Sequence, residues 1–291
     1  MAKVLLTVVY TIGSLLHVNV PLFGNRLRAW FYRSLARLGW HPADSKRFRY
    51  VDADGTRLRM LVTEERGPTV VFEAGGPPES GSPLESWRGV QNLVSQFAST
   101  VSYDRAGIGF SAKGPRPRDA RRIVHELRAA LRSAGIEPPY VLVGASFGGP
   151  LVRVFAATFP EDVGGIVLLD PLQEEEFQNG SAEKLRLGVA EKKDFLSSLA
   201  QAHESRVPEN VPVVMITPGS ERVLRFLIGR KRWARHAEYR ARYREWQSRW
   251  LEQARRGKHV VLEDCGHHIA VEAKDVVASV VREMVDEIRR H

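Results

Sequence analysis

Cysteine is almost missing from this sequence: Cys265 is the only one among 291 residues. One thiol cannot close a disulfide within a chain, so a disulfide-stapled scaffold is excluded. That fits a reducing compartment without requiring one. Metal-ligand clusters are equally scarce. Cys265, His267 and His268 could suggest a site, but two adjacent histidines cannot easily share one ion, so no metal is expected. No repeat period and no low-complexity tract runs through the chain. The apolar share of 43% and the charged share of 26% are ordinary for one large globular domain with a full core.

Charge is absent from one stretch and lopsided in another. Between Val4 and Phe23 there is no Asp, Glu, Lys or Arg. Twenty helical residues would span roughly 30 Å, the thickness of a bilayer core. No small-residue cleavage site of the signal-peptide type follows the run. Residues 1–24 are therefore expected to form a hydrophobic helix acting as a single membrane anchor, with a helix lying in the interface as the alternative. Lys3 precedes the run, while Arg26, Arg28, Arg33 and Arg37 follow it, in a basic connector over 25–45. Positive flanks stay cytoplasmic, which puts the domain after them on the cytoplasmic side. The second anomaly lies between Arg222 and Lys258, where thirteen Lys/Arg face three Glu, a surplus of ten in a chain whose net charge is +9. A solvated helical face is the plain reading, and anionic lipid is a partner such a face could take. No nucleic-acid motif accompanies it, and no nucleic-acid partner is expected.

Residues 46–291 read as one α/β domain. A hairpin is expected to turn at Asp54-Gly55. Short apolar runs then alternate with helical patterns: strands over Thr69–Gly76, Ser99–Asp104, Tyr140–Ser146, Gly165–Asp170, Val211–Thr217 and His259–Asp264, and helices over Arg118–Ala134, Phe147–Phe159 and the C-terminal Val276–Ile288 region. Such alternation predicts a mostly parallel sheet with helices on both faces. Two insertions interrupt it: a helix-prone lid over 172–207 and a basic helical insertion over 220–257. Both follow strands at the sheet end where parallel sheets place their sites.

The chemistry gathers on Gly144-Ala145-Ser146-Phe147-Gly148. An apolar strand leads into this G-x-S-x-G string and a helical pattern leads out, the setting of a nucleophile elbow with Ser146 at its tip. A serine hydroxyl needs a base. His267 stands just after a glycine in the loop following the last strand. A third residue must hold the imidazole, and chain order places it between Ser146 and His267. Asp170 and Glu221 both qualify; Asp170 is favoured because it stands at a strand tip. Asp264, on the same turn as His267, reads as structural. Backbone N–H groups of Phe147 and Gly76 are the expected oxyanion hole.

At these residues the chain resembles the α/β-hydrolase superfamily, in its broad esterase, lipase and proline-iminopeptidase-like group. The landmarks are F-E-A-G-G-P-P, Y-D-R-A-G-I-G-F-S, G-A-S-F-G-G, G-I-V-L-L-D-P and G-H-H-I, spread from Phe48 to the C-terminus. The resemblance implies hydrolysis of a carboxylic ester or related acyl bond, with no cofactor and a small hydrophobic acyl substrate. Peptidase, amidase or acyltransferase chemistry, or a silent binding protein of the same fold, are its alternatives. Two departures stand out. Ala74-Gly75 replaces the family's usual His-Gly at the oxyanion turn, and Ser220-Glu221 stands where the family usually carries an Asp. Some relatives draw the acid from the earlier strand, as Asp170 would be. Tyr103-Asp104-Arg105 matches a segment that is structural in the family. Dehalogenases and epoxide hydrolases of this fold use an aspartate at the elbow, and Ser146 argues against both.

Overall fold

The computed structural model describes residues 48–63, 67–76, 84–175, 194–219 and 230–290. Residues 1–24, 25–45 and Glu221, on which the anchor, the connector and the alternative acid were placed, lie outside the described residues. Among the described residues no helix is long and apolar enough to cross a membrane.

The domain opens with β1 (Phe48–Ala53) and β2 (Thr56–Thr63), paired antiparallel. They turn at Asp54-Gly55, both with positive φ (50° and 82°), as a two-residue type I′ hairpin requires. Then follow β3 (Thr69–Glu73), α1 (Leu84–Val94), β4 (Ser99–Asp104), α2 (Ala120–Ser133), β5 (Tyr140–Ala145), α3 (Gly148–Thr158) and β6 (Val163–Leu169). After these come α4 (Phe195–Glu204), β7 (Val213–Pro218), α5 (Arg230–Leu251), β8 (Gly257–Leu262), α6 (Ile269–Glu272) and α7 (Lys274–Arg289). One eight-stranded sheet results, in the order β1-β2-β4-β3-β5-β6-β7-β8. It is parallel from β4 through to β8, and β2 joins β4 antiparallel.

The central strands are apolar on both faces because helices cover both. Val71, Leu142, Ile166, Leu168 and Met215 point into one core with Ile123, Leu127 and Leu131 of α2 and Leu151 and Phe155 of α3. Val70, Phe72, Val141, Val143, Val167 and Ile216 point the other way, into a core with Trp87 and Val90 of α1 and Val277, Val281 and Val285 of α7. Alternation along a strand sends successive side chains to opposite faces. Here both sets find apolar partners, so the strands read as unbroken apolar runs rather than alternating ones.

Helix α2 shows why its ends lie where they do. Asp119 caps the start, accepting from the Arg122 N–H (2.9 Å), and Gly135 at φ 71° closes the end. Of the expected lid, residues 176–193 lie outside the described residues. Helix α4 forms part of the rest and packs onto α2 and α3: the Asp194 N–H donates to the Arg118 carbonyl (2.7 Å), and Gln201 bonds Asp119 (3.0 Å). Within the basic insertion, α5 is a single helix of 22 residues. It is not solvated all round. Arg240, Tyr243, Gln247, Trp250 and Leu251 form a buried stripe at helical spacing, while Arg242, Arg249, Arg255 and Arg256 are exposed.

Candidate active site

Strand β5 delivers Ser146 and α3 carries the chain away. Between them Ser146 takes φ 52°, left-handed backbone that a non-glycine residue adopts only where the surroundings enforce it. Those surroundings are tight. A Cβ on Gly148 would lie 2.2 Å from the Glu73 carbonyl oxygen, and one on Gly144 would lie 2.6 Å from the Gly148 carbonyl oxygen. Only glycines let α3 approach the sheet this closely. The Ser146 N–H donates to the Leu169 carbonyl (3.0 Å), continuing the β5–β6 pairing by one residue and placing Ser146 alongside Asp170.

Asp170 also stands in the left-handed region, at φ 40°. Its N–H is held by the Ile216 carbonyl (2.8 Å), so β7 fixes the backbone while the carboxylate turns away from the strand. Oδ2 of that carboxylate accepts from Nδ1 of His267 at 2.7 Å. His267 comes from the turn after β8, which is braced where Glu272 of α6 accepts the Gly266 N–H (2.7 Å) and where Cys265 and Ile269 are buried. Three residues from three separate strand ends therefore stand at the same end of the sheet, with His267 bonded to Asp170 and Ser146 next to Asp170 in register. With Nδ1 engaged on Asp170, Nε2 is the ring atom left to exchange a proton. The imidazole is 45% exposed, whereas Asp170 is buried. Burial raises the Asp170 carboxyl, but the hydrogen bond from His267 and the charge of Arg240 outweigh it, holding the carboxyl below its ordinary value.

The turn expected to supply the oxyanion hole follows β3. A Cβ on Gly75 would lie 2.9 Å from Cβ of Ser146, while one on Gly76 would meet nothing within 4 Å. Gly75 is thus the residue pressed against the serine. Its carbonyl accepts from Nη2 of Arg105 (2.7 Å), and the Ala74 carbonyl from Nη1 (2.6 Å). In a trans peptide the N–H points opposite to the C=O, so Arg105 turns the Gly76 N–H away from itself. Arg105 is also paired with Glu73 (2.6 Å), and Glu73 accepts a further hydrogen bond from the Tyr103 hydroxyl; all three are buried. Phe147 begins α3 next to Ser146 and stacks on Phe195 of α4 (5.3 Å between rings).

Asp104 is structural here: it takes the Phe110 N–H (3.1 Å) and pairs with Arg59 (3.5 Å). Four site neighbours were not singled out from the sequence. Glu73 and Arg105 lie inside recognisable motifs. Arg240 and Gln247 donate to Oδ1 of Asp170, each at 3.0 Å. Their only trace in sequence is the buried spacing of α5.

A family model described as alpha/beta hydrolase fold matches residues 68–205. The chain is 30% identical over 217 residues to the uncharacterized protein YqjL of Bacillus subtilis, covering 70% of this chain and 82% of that one. An uncharacterized vacuolar membrane protein of Saccharomyces cerevisiae is 30% identical over 116 residues, 40% of this chain and 18% of its own length. Among solved structures, a thermophilic esterase from Thermogutta terrifontis shares the fold with a TM-score of 0.58 and 16% identity, over 83% of this chain and 98% of that one. With the sheet order, the elbow and these matches together, the chain belongs to the α/β-hydrolase superfamily.

Proposed function

We propose that the protein is a serine hydrolase that cleaves a carboxylic ester or related acyl bond through an acyl-enzyme on Ser146. The observation that carries this reading is the 2.7 Å bond from His267 to the buried Asp170, alongside a serine held at φ 52°. Asp170 keeps the proton of the imidazole on Nδ1 and stabilises the charged ring, so Nε2 takes the Ser146 proton as the serine attacks. The N–H groups of Phe147 and Gly76 receive the oxyanion. His267 then protonates the leaving alcohol, and water, activated by the same ring, releases the acyl group. A small hydrophobic acyl substrate fits an enzyme whose apolar run at Val4–Phe23 holds it at a membrane, and the yeast relative carries a membrane name of its own.

A fluorophosphonate probe and a panel of esters of graded chain length test this. The native chain is expected to be labelled and Ser146→Ala not; no labelling of the native chain would sink the reading. Turnover of anilides above esters in a parallel panel would move it to an amidase. Carbonate extraction of cell membranes, with and without residues 1–24, tests the anchor.

A further inference from the structure

The carboxylate of Asp170 is divided between two parts of the molecule. Oδ2 serves His267, whereas Oδ1 is held by Arg240 (Nη2, 3.0 Å) and Gln247 (Nε2, 3.0 Å), both from α5. Gln247 and Tyr243 also donate to the Pro171 carbonyl, each at 3.2 Å, so one helix face grips the whole Asp170-Pro171 corner. Arg240 and Gln247 occupy positions in the buried stripe of α5 where helical periodicity calls for apolar side chains. Burying a guanidinium there carries a desolvation cost that a leucine would avoid. Arg240 Nε and Gln247 Oε1 have no hydrogen-bond partner among the described residues.

We propose that Arg240 and Gln247 are positioning residues of the reaction, fixing the Asp170 carboxylate by one oxygen so that the other faces His267. The kinetic part rests on the serine-hydrolase reading; the geometric part concerns the Asp170–His267 pair alone. Helix α5 brings Arg240, with the Tyr243 hydroxyl on Pro171. The turn after β8 brings His267, with His268 edge-on to it at 5.5 Å between rings. Strand β7 brings the Ile216 carbonyl, and α3 brings Gly149 against Pro171. Among the described residues Arg240 is thus the guanidinium paired with the Asp170 carboxylate.

The test is proton NMR of the His267 Nδ1–H in the full chain at one fixed pH, assigned by its loss in His267→Gln, together with the rate of fluorophosphonate labelling. In Arg240→Gln and in Gln247→Leu the Nδ1–H resonance is expected to broaden or vanish as the bond to Asp170 loosens, and labelling to slow about three- to tenfold. Arg240→Lys, which keeps a donor and the charge, should recover most of the native rate. A native resonance in both variants, or native-rate labelling by both, overturns the proposal. Arg240→Met removes the same bond with a side chain suited to the stripe, and decides the matter if Arg240→Gln does not fold. A native chain that takes no probe defeats the serine-hydrolase reading instead, and the NMR resonance still judges the positioning of Asp170.

Discussion

Two buried arginines hold the two ends of this site, and they reach it by different routes. Arg105 follows directly on β4, and its partner Glu73 ends the neighbouring β3; the pairing of Phe72 with Ser102 brings the two strand ends side by side. Arg240 stands on a helix seventy residues beyond Asp170 and gets there only because α5 packs back over the sheet edge. Sheet register therefore makes the Gly75-Gly76 end, where the oxyanion hole is proposed, a part of the core. Helix packing makes the acid end depend on an insertion. A contact built by register cannot be lost without unpairing strands, whereas one built by a surface helix can be altered by anything that shifts that helix.

The two anchors can be pulled apart by mutation. The largest effect is expected at the residue that α5 grips: Asp170→Asn should lower turnover by about 10³–10⁴, with the fold intact by circular dichroism. Glu221→Gln should stay within about twofold of native. Equal losses in the two would remove Asp170 from the acid's role. Arg105→Met leaves Glu73 buried and without its charge partner. It should cost about 3–5 kcal/mol, lowering the thermal midpoint by about 10 °C. Arg240→Met leaves Asp170 still bonded to His267 and Gln247 and should cost only about 1–2 kcal/mol. Similar melts for the two variants would erase the distinction between register-built and helix-built anchors.

The oxyanion end offers a finer test. Gly75→Ala pushes a methyl to 2.9 Å from the Ser146 Cβ, and should cut turnover by about 10- to 100-fold with little change in melting. Gly76→Ala, whose methyl meets nothing, should stay within about threefold, since its N–H remains in place. The smallest effect is one of pH. The Asp170 carboxyl is held below its ordinary value, so its contribution to stability is present above about pH 4 and is lost as pH falls through the lower folded value. Acid-unfolding curves should show this loss in the native chain and its absence in Asp170→Asn.

Much of this architecture was legible before any coordinates. The strands over Tyr140–Ser146 and Gly165–Asp170 match β5 and β6 to within two residues, because unbroken apolar runs bounded by glycines and prolines leave few other choices. Asp54-Gly55 turned as expected because that dipeptide tolerates the left-handed backbone a tight hairpin needs. The helix over Leu84–Val94 was not read separately. The 220–257 stretch was legible as helix but not as an anchor: its arginines read as solvent-facing charge. Only the stripe from Arg240 through Gln247 to Leu251, once seen against the sheet, separates the buried arginine from the exposed ones.

The sequence by itself determined the sheet and the elbow and put forward Ser146, His267 and, with Glu221 as its alternative, Asp170, since local periodicity and turn chemistry are carried by neighbouring residues. Tertiary structure alone decided that Asp170 reaches His267, that Gly75 rather than Gly76 presses on the serine, and that Arg240 and Gln247 share the acid. Those contacts join residues up to 97 positions apart. No local pattern encodes such a distance, because it is set by how helices and strand ends stack once the core has formed.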